Sequence, residues 1–287
     1  MTDKILVTGA TGKLGGEVVR RLLGNGFEVK AGTRNPERCA KLFADAVEVV
    51  HLDYDVTESW DAAVQWADRV FLVPPPFDPD AEERLVPFLD WAVQSGTRHV
   101  VLVSAMGADA REHLSLRQVE RRLTGTGVAW TILRPNIYMQ NFARGFVARG
   151  IRDAGVVRLS AGDGRVSFVD VRDVAEVAAR VLSRDEDFDK AYTLTGPSAL
   201  SHEEVAQTIA SATGKPVRYE LIDDEQMRRE LVEATHWSAA QTDTFVALLG
   251  SIRAGERETV TDDGRLLLGR APTDFERFAR DYAASWR

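Results

Sequence analysis

The segment Val7-Thr8-Gly9-Ala10-Thr11-Gly12-Lys13-Leu14-Gly15 decides the fold, because its glycines have GxxGxxG spacing directly after a short apolar run. That run, Ile5–Val7, predicts a buried strand. Apolar residues then recur at intervals of four, as on one face of a helix: Leu14, Val18 and Leu22. A glycine turn between a strand and a helix is typical of the first βαβ unit of a dinucleotide-binding fold.

The three glycines have separate predicted roles in holding a cofactor pyrophosphate. Gly9 permits the tight turn, Gly12 lets backbone N–H groups approach the pyrophosphate, and Gly15 allows close helix–sheet packing. The helix N-terminus then stabilises the phosphate charge. A purely structural turn is the alternative. The cofactor contacts predicted from this segment are Gly9, Thr11, Gly12, Lys13, Leu14 and Gly15.

Further short runs rich in β-branched residues predict a parallel sheet covered by helices on both faces. These runs are Val47–Leu52, Val70–Val73, Val100–Val103 and Ala129–Leu133, and two further strands are predicted over Glu28–Thr33 and Lys190–Thr195. Helical segments at Arg84–Gln94 and Gln118–Leu123 separate some of them. Strands that alternate with helices predict an α/β protein with a Rossmann-type, doubly wound parallel sheet.

The pattern loosens after Pro135, which predicts a smaller, mostly helical C-terminal lobe that binds the substrate. Asp173, with Glu176 three residues on, is interpreted as the cap of an amphipathic helix. Ser201 and Glu204 form a predicted capping box for another helix. We therefore predict an NADP-binding Rossmann domain over residues 1–135, to which 165–195 returns, and a substrate-binding lobe over 136–164 and 196–287.

The end of the second strand favours NADP(H) over NAD(H). An NAD site normally has an acidic residue there, about 20 residues after the glycines, to bind the ribose hydroxyls. Arg34 stands at that place, where its guanidinium can pair with a 2′-phosphate, and Thr33 or Asn35 can add hydrogen bonds. The alternative is a solvated arginine in a polar loop.

Other predicted cofactor contacts follow later strands, because the carboxyl ends of parallel strands face the ligand crevice. Asp53 can accept a hydrogen bond from the adenine amino group, although capping of its own loop is the alternative. The remaining contacts predicted at strand ends are Tyr54, Pro74, Pro75, Ser104 and Pro135.

Several motifs together resemble the NmrA-like group of atypical short-chain dehydrogenase/reductases. Besides the glycine segment, they are Thr33–Pro36, Trp130–Pro135, Tyr138–Phe142, Val169–Ala175, Tyr192–Pro197 and Gly269–Pro272. The resemblance spans the chain and is nearest to the branch of ergot-alkaloid iminium reductases related to festuclavine dehydrogenase. It implies a six- or seven-stranded Rossmann domain with NADP(H). The group includes reductases of quinones, azo compounds or imines, and also non-catalytic redox-sensing regulators.

The proton donor of ordinary short-chain dehydrogenases is missing from this sequence. Those enzymes use a Tyr and a Lys four residues on, and no tyrosine here has a lysine at that spacing. The catalytic candidates are Ser104, as a hydrogen bonder, His113, as a proton donor on a helix shared with Arg117, and Tyr138, as a pocket residue. Each has a structural alternative: a satisfied strand-end hydroxyl, a solvent-facing histidine and a packed ring.

The missing pair favours reduction of an imine, a quinone or another conjugated acceptor, because such chemistry needs no side-chain acid. The same absence fits a non-catalytic NADP(H)-binding regulator, and an isomerase or other non-redox enzyme stays open. In the second half, Trp237 and residues 242–249 can cover an apolar substrate or simply pack in the core.

The composition limits the classes of binding partner that we expect for this chain. The formal net charge is −8, from 36 basic and 44 acidic residues, which disfavours nonspecific nucleic acid binding. Cys39 is the single cysteine, which excludes an intrachain disulfide and favours a reducing, cytoplasmic compartment. We expect no secretory signal, no membrane span and, without a His/Cys cluster, no metal site. The predicted partner is a small-molecule substrate, and a homodimer is left open.

Overall fold

The computed structural model describes residues 3–287, which form two compact units. The first unit consists of the described residues up to Pro75, Asp80–Pro135 and Val171–Thr193. The second consists of Pro76–Pro79, Asn136–Asp170 and Leu194–Arg287. The predicted boundary after residue 135 is therefore also a boundary between units. The returning segment is shorter than the predicted 165–195, and Pro76–Pro79 was not expected in the second unit.

Residues 3–287 contain nine strands and twelve α-helices. The strands are β1 Lys4–Val7, β2 Glu28–Thr33, β3 Glu48–His51, β4 Arg69–Leu72, β5 His99–Val103, β6 Ala129–Pro135, β7 Val156–Leu159, β8 Lys190–Leu194 and β9 Arg218–Leu221. The helices are α1 Lys13–Gly24, α2 Pro36–Phe43, α3 Trp60–Val64, α4 Ala81–Gln94, α5 Ser115–Thr124, α6 Phe146–Ala154, α7 Val171–Leu182, α8 His202–Thr213, α9 Asp224–Ala234, α10 Ala239–Arg253, α11 Asp263–Leu268 and α12 Phe275–Asp281.

The first unit is built on a seven-stranded sheet in the order β3-β2-β1-β4-β5-β6-β8. The pairings from β3 through β6 are all parallel. Strands β4 and β5 are buried along their whole length, which explains their unalternating apolar sequences. The edge strand β3 is only half-buried. The strand order reverses direction between β1 and β4, where ligands bind in open α/β sheets.

The second unit is mostly helical, with α6, α8 to α12 and a two-stranded parallel sheet of β7 and β9. Its core contains many aromatic rings, among them Phe142, Phe168, Phe275, Phe278 and Trp286. The chain therefore has the predicted Rossmann-type parallel sheet together with a mostly helical C-terminal part. The substrate-binding role of that part stays a prediction.

Local predictions had mixed outcomes. The capping box of α8 is present, since Ser201 Oγ accepts from Glu204 N–H and the Glu204 carboxylate accepts from Ser201 N–H. The proposed cap at Asp173 is wrong, because α7 begins at Val171 and encloses Asp173 in its first turn. Neither α6 nor β7 was predicted. None of the described helices, residues 3–287, combines the length and apolar character that a membrane span requires.

Candidate functional site

The glycine turn between β1 and α1 has the geometry that its sequence predicts. Gly9 has φ +61°, a left-handed conformation that favours glycine. Gly12 N–H donates to Gly9 O at 2.8 Å, which closes the turn. A Cβ atom on Gly15 would lie 2.4 Å from the same oxygen, closer than any side chain tolerates. The turn therefore requires glycine at positions 9 and 15, and it brings α1 against the strand.

The start of α1 is suited to an anion. Gly12 is its N-cap and supplies no side-chain hydrogen bond, and the first turn contains no acidic residue. The first N–H groups of a helix have no acceptor within the helix, and the helix dipole is positive at this end. Gly9, Gly12 and Lys13 are exposed. The arrangement fits a pyrophosphate, whose oxygens would accept from these N–H groups.

Arg34 lies in an exposed position directly after β2. Among residues 3–287 it has no ion pair, so its guanidinium keeps its hydrogen-bonding capacity for a ligand. Thr33 differs: it is 3% exposed, and its Oγ1 lies 3.2 Å from Thr11 Oγ1 and accepts from Asn35 N–H at 3.1 Å. The Asn35 side chain caps α2 by accepting from Arg38 N–H at 2.9 Å. Thr33 and Asn35 therefore shape the loop that presents Arg34.

Sequence reasoning missed Thr8, whose hydroxyl ties β1 to β4 beside the glycine turn. Thr8 Oγ1 donates to Phe71 O at 3.0 Å and accepts from Val73 N–H at 2.9 Å. The Tyr54 hydroxyl lies 2.8 Å from Thr8 Oγ1 and 3.0 Å from Val73 O. Burial raises the pKa of Tyr54 well above its usual value. The Tyr54 hydroxyl therefore links the carboxyl ends of β1 and β4, and any cofactor contact would come from its ring.

The other residues that we predicted at strand ends also belong to the first unit. Asp53 Oδ1 accepts from Asp55 N–H at 3.2 Å, which is the loop-capping alternative of the sequence analysis. Pro74 and Pro75 follow β4 at its carboxyl end and are partly exposed. Pro135 is buried at the end of β6, where its carbonyl accepts from Met106 N–H at 3.1 Å.

A buried ion pair joins α5 to β6. The Glu120 side chain is 0% exposed, and it accepts from Arg134 Nε at 2.9 Å and Arg134 Nη2 at 2.8 Å. Arg117 Nη1 donates to the same carboxylate at 3.1 Å. Burial opposes ionisation of Glu120, but Arg134 and then Ser104 outweigh it and lower the pKa of this carboxyl.

Ser104 is buried at the end of β5. Its Oγ has no hydrogen-bond partner of ordinary geometry among residues 3–287.

His113 does not share a helix with Arg117, which corrects the expectation for this residue. Helix α5 begins at Ser115, and His113 lies exposed in the preceding turn. Arg117 is engaged with Glu112, at 3.1 Å, and with Glu120. The solvent-facing alternative therefore describes His113 better than a proton donor does.

Tyr138, the last catalytic candidate, belongs to the second unit. It forms an isolated parallel bridge with Val169, next to the hydrogen bond from Met139 N–H to Val169 O at 2.9 Å. The side chain is partly exposed, and desolvation raises its pKa above the ordinary tyrosine value. At neutral pH this phenol is therefore a weaker acid than a free tyrosine.

The Trp237 region packs with rings from three other segments of the second unit. We call Phe77, Phe146, Trp237 and Phe245 the aromatic cluster. Neighbouring ring centroids within it lie 4.8 to 6.3 Å apart. Phe245 is buried, whereas the other three rings are partly exposed. Among residues 3–287, no three His, Cys, Asp or Glu side chains are placed to hold a metal ion.

Known proteins resemble this chain over nearly its full length. The model of the family described as NmrA-like matches residues 1–278. An NAD(P)H azoreductase of Xenophilus azovorans is 32% identical over 98% of this chain and 99% of its own. Festuclavine synthase I of Penicillium roqueforti is 26% identical over 82% of this chain and 85% of its own. Triphenylmethane reductase of Citrobacter sp., crystallised with NADP(H), superimposes with a TM-score of 0.80 at 25% identity, covering 99% and 100% of the two chains.

Proposed function

The chain belongs to the NmrA-like family, and from this premise we propose that it is an NADPH-dependent reductase of a small, conjugated organic acceptor. The family is the one predicted from the sequence motifs, and the festuclavine synthase among its relatives agrees with the predicted branch. The azoreductase and the triphenylmethane reductase are named for reducing conjugated compounds, which supports the same class of acceptor for this chain.

The observation that carries the proposal is the pairing of an uncapped glycine turn with an arginine that has no ion pair among residues 3–287. The turn from Gly9 to Gly15 would hold the pyrophosphate through backbone N–H groups. Arg34 would hold the 2′-phosphate that distinguishes NADP(H) from NAD(H). Thr8 and Tyr54 would keep the carboxyl ends of β1 and β4 rigid beside the turn. When bound, NADPH supplies the hydride.

Among residues 3–287, neither His113 nor Tyr138 has the properties of a general acid at neutral pH. His113 is exposed outside its helix, and desolvation makes Tyr138 a poorer donor at neutral pH. An iminium ion becomes a neutral amine when it accepts a hydride, and the delocalised anion of a conjugated acceptor can take its proton from water. The protein's part is then to position the acceptor and to exclude competing reactions, which can supply much of the rate enhancement.

The proposal is tested by following NADPH oxidation at 340 nm across a panel of quinones, azo compounds, cyclic imines and enones. We expect turnover with at least one member. Ser104→Ala, His113→Ala and Tyr138→Phe should each lower kcat by less than the roughly 10²-fold typical of losing a general acid. A loss of about 10³-fold in one variant, with unchanged NADPH affinity, would reveal a dedicated donor.

Binding of NADPH without oxidation by any member of the panel would contradict the reductase. It would favour the non-catalytic regulator that the family also contains. Failure to bind NADPH at all would contradict both functions, so a direct titration of the cofactor precedes the panel.

A further inference from the structure

Three consecutive prolines follow β4, and they form a stiff segment that is attached to other residues at both ends. We call Pro74, Pro75 and Pro76 the proline run. Immediately before it, Val73 N–H donates to Thr8 Oγ1 at 2.9 Å, and Val73 O accepts from the Tyr54 hydroxyl at 3.0 Å. A proline has a fixed φ and no backbone N–H, so the run can be held only through its rings and carbonyls. A contact at its far end therefore helps to determine where Pro74 and Pro75 lie.

Gln241, in the first turn of α10, holds the far end of the proline run. Its Nε2 donates to Pro76 O at 3.1 Å. The orientation of the amide is fixed, because Gln241 Oε1 accepts from Ser238 N–H at 3.0 Å as part of the capping box of α10. Gln241 thus has two separable functions: its side-chain oxygen caps the helix, and its side-chain nitrogen holds Pro76.

Phe77 attaches the same segment to α10 a second time. Its φ is +55°, a strained conformation that residues other than glycine keep only where the surrounding structure enforces it. The Phe77 ring centroid lies 5.2 Å from that of Phe245, which is four residues after Gln241 and therefore on the same helix face. Two successive residues, Pro76 and Phe77, are thus held by one face of α10 in spite of the strain. Backbone strain of this kind is concentrated at ligand sites.

We propose that Gln241 is a positioning residue for the cofactor: by holding Pro76 O, it fixes the proline run, whose first two residues wall the bound NADP(H). This inference rests on the proposed function and on the predicted cofactor contacts of Pro74 and Pro75. Gln241 acts only through Pro76. A wall that is already in place loses less conformational freedom when the cofactor binds, so the hydrogen bond to Pro76 raises the affinity for NADPH.

The test separates the two functions of Gln241 by direct titration of NADPH into the full-length protein. Gln241→Glu keeps an acceptor for the capping box but has no donor for Pro76 O, and Gln241→Met lacks the donor without adding charge. Each should raise the NADPH Kd more than about twofold and up to about tenfold, the effect of one hydrogen bond. Ser238→Ala removes the cap hydroxyl and leaves the Gln241 amide in place, so it should lower the Tm and keep the Kd within about twofold. Gln226→Glu, at the same position of α9, is the control for the added charge.

A second variant tests the stiffness of the proline run. Pro76→Ala keeps the carbonyl that Gln241 holds but frees the backbone, and it should raise the NADPH Kd about 2- to 5-fold. If a substrate from the panel is turned over, the KM for NADPH should rise in Gln241→Glu by the same factor as its Kd. Because Gln241 does not touch the reacting atoms, kcat at saturating NADPH should stay within about twofold.

The outcomes distinguish this inference from the proposed function. An NADPH Kd within twofold of wild type in folded Gln241→Met would overturn the inference and leave the reductase standing, because any weakening in Gln241→Glu would then come from charge alone. Equal weakening by Ser238→Ala would assign the effect to the helix cap and would overturn it as well. Weaker NADPH binding by both Gln241 variants, in a protein that oxidises NADPH with no member of the panel, would uphold the inference and contradict the reductase.

Discussion

At the residue scale, two glycines of α1 differ in whether the fold requires glycine at their position. Gly15 faces the main chain, where an added Cβ would lie 2.4 Å from Gly9 O and 3.0 Å from Thr8 O. Gly24, in the last turn, has no atom within 4 Å of the corresponding position. Only the first is required by the approach of the helix to the strand, so the two positions form a matched pair.

Gly15→Ala should therefore destabilise the protein by about 1–3 kcal/mol, the usual range for overpacking, and should weaken NADPH binding because the turn must open. Gly24→Ala should be neutral or stabilise it by about 0.5–1 kcal/mol, since alanine is the better helix former. Urea denaturation and cofactor titration measure both effects. Equal free energies of unfolding for the two variants would contradict the packing argument.

Arg34 determines the cofactor preference in our proposal. Wild-type protein should bind NADPH at least tenfold more tightly than NADH, because a charge-assisted hydrogen bond contributes about 1.5–3 kcal/mol. Arg34→Ala should remove most of that difference while leaving NADH affinity nearly unchanged. Arg149→Ala, at an exposed arginine of α6, is the control for loss of a positive charge. Equal NADPH and NADH affinities in the wild type would refute the assignment.

At the scale of elements, α5 and β6 are joined by the Glu120–Arg134 ion pair, whose side chains are 0% and 12% exposed. Its neighbour Glu112 is 56% exposed and pairs with Arg117 and Arg121. Both glutamates have a lowered pKa, Glu112 through hydrogen bonds from Arg121 and Arg117, and Glu120 through Arg134 and Ser104 against the effect of burial. Burial is thus the main difference between them.

Glu120→Gln should destabilise the protein by about 3 kcal/mol, because it leaves the Arg134 guanidinium, 12% exposed, with the half-exposed Asp109 as its remaining carboxylate partner among residues 3–287. Glu112→Gln should cost much less, because water already solvates this exposed carboxylate and its partners. Thermal and urea unfolding of the two variants give the comparison. An equally small loss of unfolding free energy in both variants would show that water reaches Arg134 and that the ion pair does not stabilise the contact between α5 and β6.

Among the elements, the sequence predicted those that hydrophobic periodicity or glycine spacing indicates locally. The glycine turn, the apolar strands of the central sheet and the α8 capping box all have strong local signals. Strand β7 has four residues and pairs with β9, about sixty residues later, so no local pattern indicates it. Helix α5 begins at Ser115, so His113 precedes the helix instead of lying in its first turn, and the local sequence did not indicate this starting point. Thr8 and Phe77 were missed because their roles arise from contacts distant in sequence.

At the scale of the whole molecule, each unit encloses one of the five histidines in a neutral form. In the first unit, His99 Nε2 lies 2.9 Å from Thr131 Oγ1, whose own hydrogen is donated to Asp187 O at 2.8 Å. His99 Nε2 must therefore be the donor. In the second unit, His202 is 2% exposed among the rings of Phe142, Phe168 and Tyr219.

Burial lowers the pKa of each histidine to about 4, with the Arg69 charge adding to the effect at His99. An unfolded histidine has a pKa of about 6.5, so the unfolded state binds the proton first as the pH falls. The stabilising contribution is complete above about pH 6.5 and is lost as the pH falls toward 4. Between pH 7 and 5, each histidine should account for a loss of about 2 kcal/mol in the free energy of unfolding.

His202→Phe tests this acid sensitivity, because an apolar ring suits the surrounding aromatic residues and cannot take up a proton. Its free energy of unfolding should fall about 2 kcal/mol less than that of wild type between pH 7 and 5, whatever its absolute stability. The lowered carboxyl pKa values act mainly below about pH 5, where unfolded carboxylates protonate, and they affect wild type and His202→Phe alike, so they do not obscure this comparison. Parallel pH slopes for wild type and His202→Phe would show that His202 is protonated, or solvated, in the folded protein.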